Sequence, residues 1–147
     1  NKLRFEAYST EVANLTSANL RGIATWYYSS SSKNVSSSYD GRLQEKSFYD
    51  NYGYKNMTIY FYLSNQGKTK LEFFNSSKSI YKTNGGFIDK SSYLSHSNGY
   101  PKQIKWTYIG SKKKYNKYFI FNIDKNGKLK SRLICNRKWK VKETVSY

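Results

Sequence analysis

The residues with the clearest chemical potential are the lysines and arginines near the C-terminus. The segment KLKSRLICNRKWKVKE, residues 128–143, holds seven basic residues and one acid. Residues 1–100 carry 12 Lys/Arg and 7 Asp/Glu, a net charge of +5, whereas residues 101–147 carry 14 Lys/Arg and 2 Asp/Glu, a net charge of +12. This asymmetry predicts a polyanionic partner. The candidates are DNA, an acidic glycan, teichoic acid and an acidic membrane surface.

The alternation of basic and apolar residues is typical of β-strands, and it predicts that these cations lie on one face of each strand. In 128–134 the basic residues alternate with Leu129 and Leu133, and in 137–142 they alternate with Trp139 and Val141. The segment SKKKYNK adds further lysines with tyrosine between them. The predicted polyanion-binding residues are therefore Lys112, Lys113, Lys114, Tyr115, Lys117, Lys128, Lys130, Arg132, Arg137, Lys138, Lys140 and Lys142.

The expected mode of binding is electrostatic. Lys and Arg neutralise phosphates and release counterions, and an exposed Tyr115 beside lysines can stack on unpaired bases. No base-reading motif is present, so binding is expected to be weakly sequence-selective. The alternative is that alternating lysines only keep a sheet face soluble. A bias in base composition would spread lysine evenly, so the clustering favours binding.

The residues that catalysis would need are few. His96 is the only histidine, and no spacing links it to Glu45, Glu72 or Asp89 as an acid–base partner. Cys135 is alone, which indicates a buried thiol, and one Cys with one His cannot form a zinc site. The TNGGF segment has neither a P-loop nor a dinucleotide fingerprint. We therefore expect no enzymatic activity, no metal and no cofactor.

The N-terminal third is predicted to hold one helix and a long loop. Apolar residues recur at spacings of three to five in LRFEAYSTEVANLTSANLRGIATWYY, which predicts a helix over 3–28. The polar residues 29–56 read as a connection, with a short helix or an edge strand near 42–49.

After Met57 the pattern changes to period two. TIYFYLSNQGKTKLEFFN and SIYKTNGGFIDKS each read as a hairpin, the second about Asn84-Gly85-Gly86. KYFIFNIDKNGKLKSRLIC predicts another hairpin that turns at 124–127, and RKWKVKETV predicts a last strand. The expected fold class is α+β in a single domain, 1–147, with the helix packed on an antiparallel β-meander of six to eight strands over 57–147.

This order of parts resembles the soluble domain of type IV pilin-like proteins and pseudopilins. In that family an amphipathic helical segment leads through a variable loop into an antiparallel meander. Residues 3–28 match the helix and 29–56 match the loop, by layout alone. The resemblance implies extracellular placement and homo- or hetero-assembly through the N-terminal helix. The family's apolar N-terminal methylation segment is absent, so no functional residues are carried over.

The sequence thus predicts a non-enzymatic extracellular or cell-surface domain whose basic C-terminal face binds polyanions, with DNA as the leading candidate. Two alternatives remain. One is a structural pilin-like subunit or assembly module of a secretion or pilus system. The other is a small basic secreted toxin or nuclease centred on His96.

Overall fold

A computed structural model describes residues 4–8, 22–27, 43–62 and 67–147, which form β-strands and no α-helix. Two single 3-10 turns are present in this part, at Lys90–Ser92 and Lys113–Tyr115. None of the described residues belongs to a helix long and apolar enough to cross a membrane. The strands are β1 Arg4–Tyr8, β2 Gly22–Tyr27, β3 Leu43–Tyr49, β4 Lys55–Phe61, β5 Lys68–Asn75, β6 Lys78–Lys82, β7 Gly86–Ile88, β8 Leu94–Ser95, β9 Pro101–Tyr108, β10 Lys117–Ile123, β11 Leu129–Cys135 and β12 Val141–Ser146.

All twelve described strands belong to one sheet, in the order β1-β2-β3-β4-β5-β7-β9-β10-β11-β12. The short strand β6 pairs with β5, and β8 pairs with β9. Every pairing is antiparallel except that of β1 with β2, which is parallel. The predicted antiparallel meander is confirmed, although the sheet has more strands than the six to eight expected.

The sheet curls around its inner face, which carries one core cluster. The rings of Phe73 on β5 and Phe121 on β10 have centres 5.0 Å apart, although these strands are not neighbours in the sheet. Polar bonds hold the two sides together: the Tyr100 hydroxyl donates to the carbonyl of Tyr49, and Asn56 Nδ2 donates to the carbonyl of Asn126 at 3.0 Å. The core is formed by Ile23, Phe48, Met57, Ile59, Leu71, Phe73, Tyr100, Ile104, Trp106, Phe119, Phe121, Ile123 and Leu129.

The predicted helix over 3–28 is wrong. Both described parts of that segment are strands, and β2 pairs with β1 on one side and β3 on the other. Gly22 has φ +75°, a left-handed conformation that an α-helix excludes. Ile23 and Thr25 are β-branched and Trp26 is aromatic, and such residues favour strands. Residues 9–21 lie outside the described part.

The α+β fold class and the pilin-like resemblance are wrong for the same reason. A pilin-like layout requires an N-terminal helix, and strands occupy its place in an all-β sheet. Assembly through such a helix loses its basis as well. Within the connection expected over 29–56, the short helix or edge strand allowed for near 42–49 is the strand β3, which lies between β2 and β4 and not at an edge.

The predicted turn at 124–127 is confirmed and the one at 84–86 is not. Gly127 has φ +85°, and Asp124 Oδ1 accepts from the backbone N–H groups of Asn126 and Lys128. By contrast, β6 and β7 both pair with β5 and not with each other. Gly86 is needed for space: a Cβ there would lie 2.3 Å from Trp106 Cζ2.

Candidate polyanion interface

A loop, a turn and two strand starts place eight exposed cations at the same end of the sheet. Strands β10, β11 and β12 alternate in direction, so the loop 109–116, the turn 136–140 and the first residues of β12 lie together. The register confirms this, because Cys135 pairs with Tyr118 on one side and Val141 on the other. We call this group the basic end; it consists of Lys112, Lys113, Lys114, Lys117, Arg137, Lys138, Lys140 and Lys142.

The structure separates the other predicted cations from the basic end. Lys128 and Lys130 lie at the opposite end of the sheet, next to the turn at 124–127. Arg132 lies on the inner face, because a bulge after Asn122 shifts the register and pairs Arg132 with Phe121. The row of cations expected along 128–134 is therefore not formed.

The expected strand over 137–142 is a turn until residue 140. Asn136 Oδ1 accepts from the backbone N–H groups of Lys138 and Lys140, at 2.9 and 3.0 Å. Trp139 has φ +63° and lies with its ring edge-on to Tyr118, at 5.6 Å between ring centres. Lys105 Nζ lies 5.2 Å from the Trp139 ring. These contacts fix the turn that carries Arg137, Lys138 and Lys140 against the outer face of the sheet.

The loop before β10 is fixed by its own hydrogen bonds. Asn116 Oδ1 accepts from the N–H of Gly110 at 2.9 Å, and the N–H of Tyr115 donates to the carbonyl of Lys112 at 2.9 Å. Tyr115 is 50% exposed, and Lys114 Nζ lies 5.2 Å from the centre of its ring. A held loop loses less conformational entropy when a ligand binds than a disordered one does.

A cleft of about 360 Å³ lies between the loop and the turn. Residues of the loop 109–116 and of the turn 136–140 both line the cleft, so the cleft depends on the pairing of β10 with β11 at this end. The cleft is lined by Lys113, Asn116, Tyr118, Cys135, Asn136 and Arg137.

The cleft is rich in hydrogen-bond donors. The side-chain oxygens of Asn116 and Asn136 are engaged by backbone N–H groups, which leaves each Nδ2 amino group as the remaining polar group. Lys113 and Arg137 only donate. Burial raises the pKa of the Cys135 thiol, with the charge of Lys105 acting in the opposite direction. None of the described residues that line the cleft carries a carboxylate, so its chemistry suits an anion.

The residues considered for catalysis are not assembled into a site. His96 Nε2 lies 2.8 Å from the carbonyl of Ile123, and an imidazole nitrogen facing a carbonyl acts as a donor. This bond fastens the loop to the end of β10. Asp89 Oδ1 and Oδ2 accept from the hydroxyls of Ser91 and Ser92. Among the described residues, no three His, Cys, Asp or Glu side chains are grouped as metal ligands would be.

The sequence did not predict that Asn116, Asn136 and Tyr118 are parts of the candidate site. The available signal was Asn136 before a short basic segment, because Asn often accepts from backbone groups two residues on and starts a turn. The pairing that brings Asn116 and Asn136 to one cleft is long-range and leaves no local pattern.

Comparison of the chain with protein-family models, curated proteins and solved structures finds no match.

Proposed function

We propose that this protein is a non-enzymatic domain that binds an extended polyanion through its basic end, with DNA as the first polymer to test. The observation that carries the proposal is the cleft between Lys113 and Arg137, where cations and amide donors come together without a carboxylate. A phosphate or sulfate group supplies the acceptors that such a set of donors lacks.

The charge supports a polymer over a single small ion. All eight cations of the basic end are exposed, and Glu143 is the only acid between residues 125 and 147. If all eight contacted phosphates of duplex DNA, the logarithm of the binding constant would fall with the logarithm of salt concentration at a slope of about −7. Fewer contacts give a proportionally shallower slope.

The arrangement favours backbone recognition over base reading. Seven of the eight cations are lysines, which act as point charges, and Arg137 alone offers a planar fork. They lie on a loop, a turn and two strand starts, and none lies on a helix that would enter a major groove. We therefore expect weak sequence selectivity. The half-exposed Tyr115 adds a stacking surface that favours single strands.

Placement outside the cell or at its surface stays a prediction. An acidic glycan, teichoic acid and an acidic membrane surface are alternatives to DNA with similar charge chemistry, and heparin serves as a base-free comparison. A catalytic function centred on His96 is disfavoured because its imidazole is engaged by a backbone carbonyl.

Titration of the intact protein with labelled single-stranded DNA, double-stranded DNA and heparin, at low and at physiological salt, tests the proposal. We expect binding to all three that weakens steeply with salt, and a preference for single-stranded over double-stranded DNA. Absence of binding at low salt, or an affinity independent of salt, would overturn it.

A further inference from the structure

A second cavity, of about 90 Å³, opens on the inner face beside the core. It differs from the cleft, which lies on the outer side of β10 and β11. Tyr108 and Lys117 pair across β9 and β10, as do Trp106 and Phe119, so these four side chains share the inner face. The cavity is lined by Tyr81, Lys82, Thr83, Asn84, Trp106, Tyr108, Lys117 and Phe119.

Two residues that line this cavity carry buried groups able to donate hydrogen bonds. Trp106 is 1% exposed, and its indole Nε1 has no hydrogen-bond partner among the described residues. An indole N–H can only donate, so it needs an acceptor. Thr83 Oγ1 accepts from the N–H of Leu71 at 2.9 Å, which leaves its hydroxyl proton to be donated. A buried donor without a partner costs free energy, and a water or a ligand is its usual explanation.

Two cations lie close to aromatic rings that line the cavity. Lys117 lines the cavity, with Nζ 5.9 Å from the centre of the Tyr108 ring. The Arg132 guanidinium carbon lies 4.2 Å from the centre of the Tyr81 ring and 5.2 Å from that of Phe119. Arg132 Nε also donates to the Tyr147 hydroxyl at 3.2 Å, so this cation is held in place.

Carboxylates stand nearby on the strands but outside the cavity. By register, Glu72 is opposite Lys82 and Glu143 is opposite Ile134, which is itself opposite Phe119. Neither glutamate is among the lining residues. Among the described residues, the lining therefore combines an indole N–H, three hydroxyls, one amide and two lysines, with no anionic group.

We infer that the inner-face cavity binds a single small oxyanion, a phosphate or sulfate group. In this inference the Trp106 indole and the Thr83 hydroxyl donate to its oxygens, and Lys117 supplies a positive charge in the lining. The volume is well above the ~10–15 Å³ needed for one water molecule, and it limits the ligand to a small group. The inference does not depend on polymer binding at the basic end.

The test follows the three tryptophan indole N–H signals by ¹H–¹⁵N NMR during titration with inorganic phosphate and with sulfate, at ionic strength held constant with chloride. Trp26→Phe and Trp139→Phe identify two signals and leave Trp106 intact. We expect a saturable shift of the Trp106 signal and none of Trp26, whose indole nitrogen is also buried without a partner among the described residues. Equal shifts of both signals would overturn the inference, and so would a Trp106 signal that shows no saturable shift with phosphate, with sulfate or with the phosphorylated oligonucleotide described below.

Matched variants connect the shift to the cavity. Lys117→Gln is expected to raise the dissociation constant about tenfold, as loss of a charge-assisted contact predicts. Lys114→Gln also removes one positive charge, but Lys114 belongs to the basic end and does not line the cavity. The dissociation constant of this variant should stay within about twofold of that of the original protein. Equal losses in the two variants would contradict a site at Lys117.

A second titration identifies the source of the oxyanion. An oligonucleotide with a terminal phosphate is compared with one that lacks it, using the same Trp106 signal. A saturable shift with free phosphate assigns the site to the inorganic ion, and a shift only with the phosphorylated end assigns it to a polymer terminus. A Trp106 signal that responds to neither overturns the inference, even if the oligonucleotides bind at the basic end.

Discussion

Lys113 and Arg137 lie in different loops and line one cleft of about 360 Å³. Pairing of β10 with β11 brings them together, since Tyr118 and Cys135 are opposite each other at the strand ends. Like charges repel, so this placement is favourable chiefly when solvent, counterions or an anionic ligand screen them. The pairing of the two strands thus brings cations from two separate segments of the sequence to one cleft.

Asn136→Ala should weaken polymer binding without changing any charge. The substitution removes the oxygen that accepts from Lys138 and Lys140, so the basic turn loses its two fixing hydrogen bonds. We expect a loss of about 1–2 kcal/mol in the free energy of unfolding, measured by urea denaturation. We also expect a several-fold weaker affinity for heparin.

Asn136→Asp is the matched control for the turn. It keeps an oxygen acceptor for both N–H groups, and therefore the stability, but replaces the Nδ2 donor with negative charge in the cleft. Affinity should fall while the free energy of unfolding stays within about 0.5 kcal/mol of the original. Unchanged heparin binding in this variant would show that the cleft does not hold the anion.

Tyr115→Ala should separate nucleic acid from glycan binding. The ring is half-exposed in the loop 109–116 of the basic end, where it can stack on a base. Stacking contributes roughly 1–3 kcal/mol per base, so affinity for single-stranded DNA should fall about tenfold. Heparin has no bases and should bind as before, and Tyr115→Phe should retain DNA binding. An equal loss for both polymers would argue that the ring only supports the loop.

Gly86→Ala should destabilise the fold far more than Gly85→Ala. At Gly86 a Cβ would lie 2.6 Å from the carbonyl oxygen of Thr107 and 2.3 Å from buried Trp106, neither of which can easily move. At Gly85 the closest atom is Cε2 of the exposed Tyr62 ring, at 2.8 Å, which can swing aside. We expect Gly86→Ala to lower the free energy of unfolding by about 1–3 kcal/mol or more, and Gly85→Ala to lower it by under about 1 kcal/mol. Urea denaturation measures both values.

Stability should fall at alkaline pH because of two buried tyrosines and one partly buried tyrosine. Burial raises the pKa of Tyr49, Tyr93 and Tyr100 to about 12, from an ordinary value of 10.0. Between these values the folded chain keeps phenol protons that the unfolded chain releases, so unfolding is favoured as pH rises. Below about pH 10 these tyrosines are protonated in both the folded and the unfolded chain, so their contribution to the free energy of unfolding is fully present.

The free energy of unfolding measured between neutral pH and about pH 12 checks this expectation. Tyr100→Phe is expected to be less stable at neutral pH, because the carbonyl of Tyr49 loses its donor. Its further decline above pH 10 should nevertheless be shallower, since one titrating group is gone. A stability that is flat through this range would contradict the assigned burial.

The sequence predicted the C-terminal half of the fold better than the N-terminal half. Hairpins such as β10–β11 are local, and Asp124 and Gly127 mark their turn by residue type. Strand β2 is different: Ile23, Ala24, Thr25 and Trp26 are consecutively buried, so no alternation identifies it as a strand. Its pairing with β3 is long-range, and the spacing of apolar residues imitated a helix.

The candidate site was predicted by residue type but not by arrangement. Counting charges placed Lys112–Lys114 and Arg137 in the predicted polyanion-binding set, and their role in binding stays a prediction. The bulge after Asn122 and the turn begun by Asn136 then changed which faces the other cations occupy. Bulges and side-chain-capped turns shift the register by single residues, and alternation assumes that no such shift occurs.

The most direct test compares two double variants that each remove two positive charges from opposite ends of the same strands. Lys113→Gln with Arg137→Gln empties the cleft of cations, whereas Lys125→Gln with Lys128→Gln alters the turn at the other end. Affinity for DNA and heparin is measured as a function of salt. We predict a loss of about tenfold or more for the cleft variant, with a salt slope shallower by about 2, and a change under about threefold for the other. Equal losses in the two variants would contradict a localised site and show that only net charge matters.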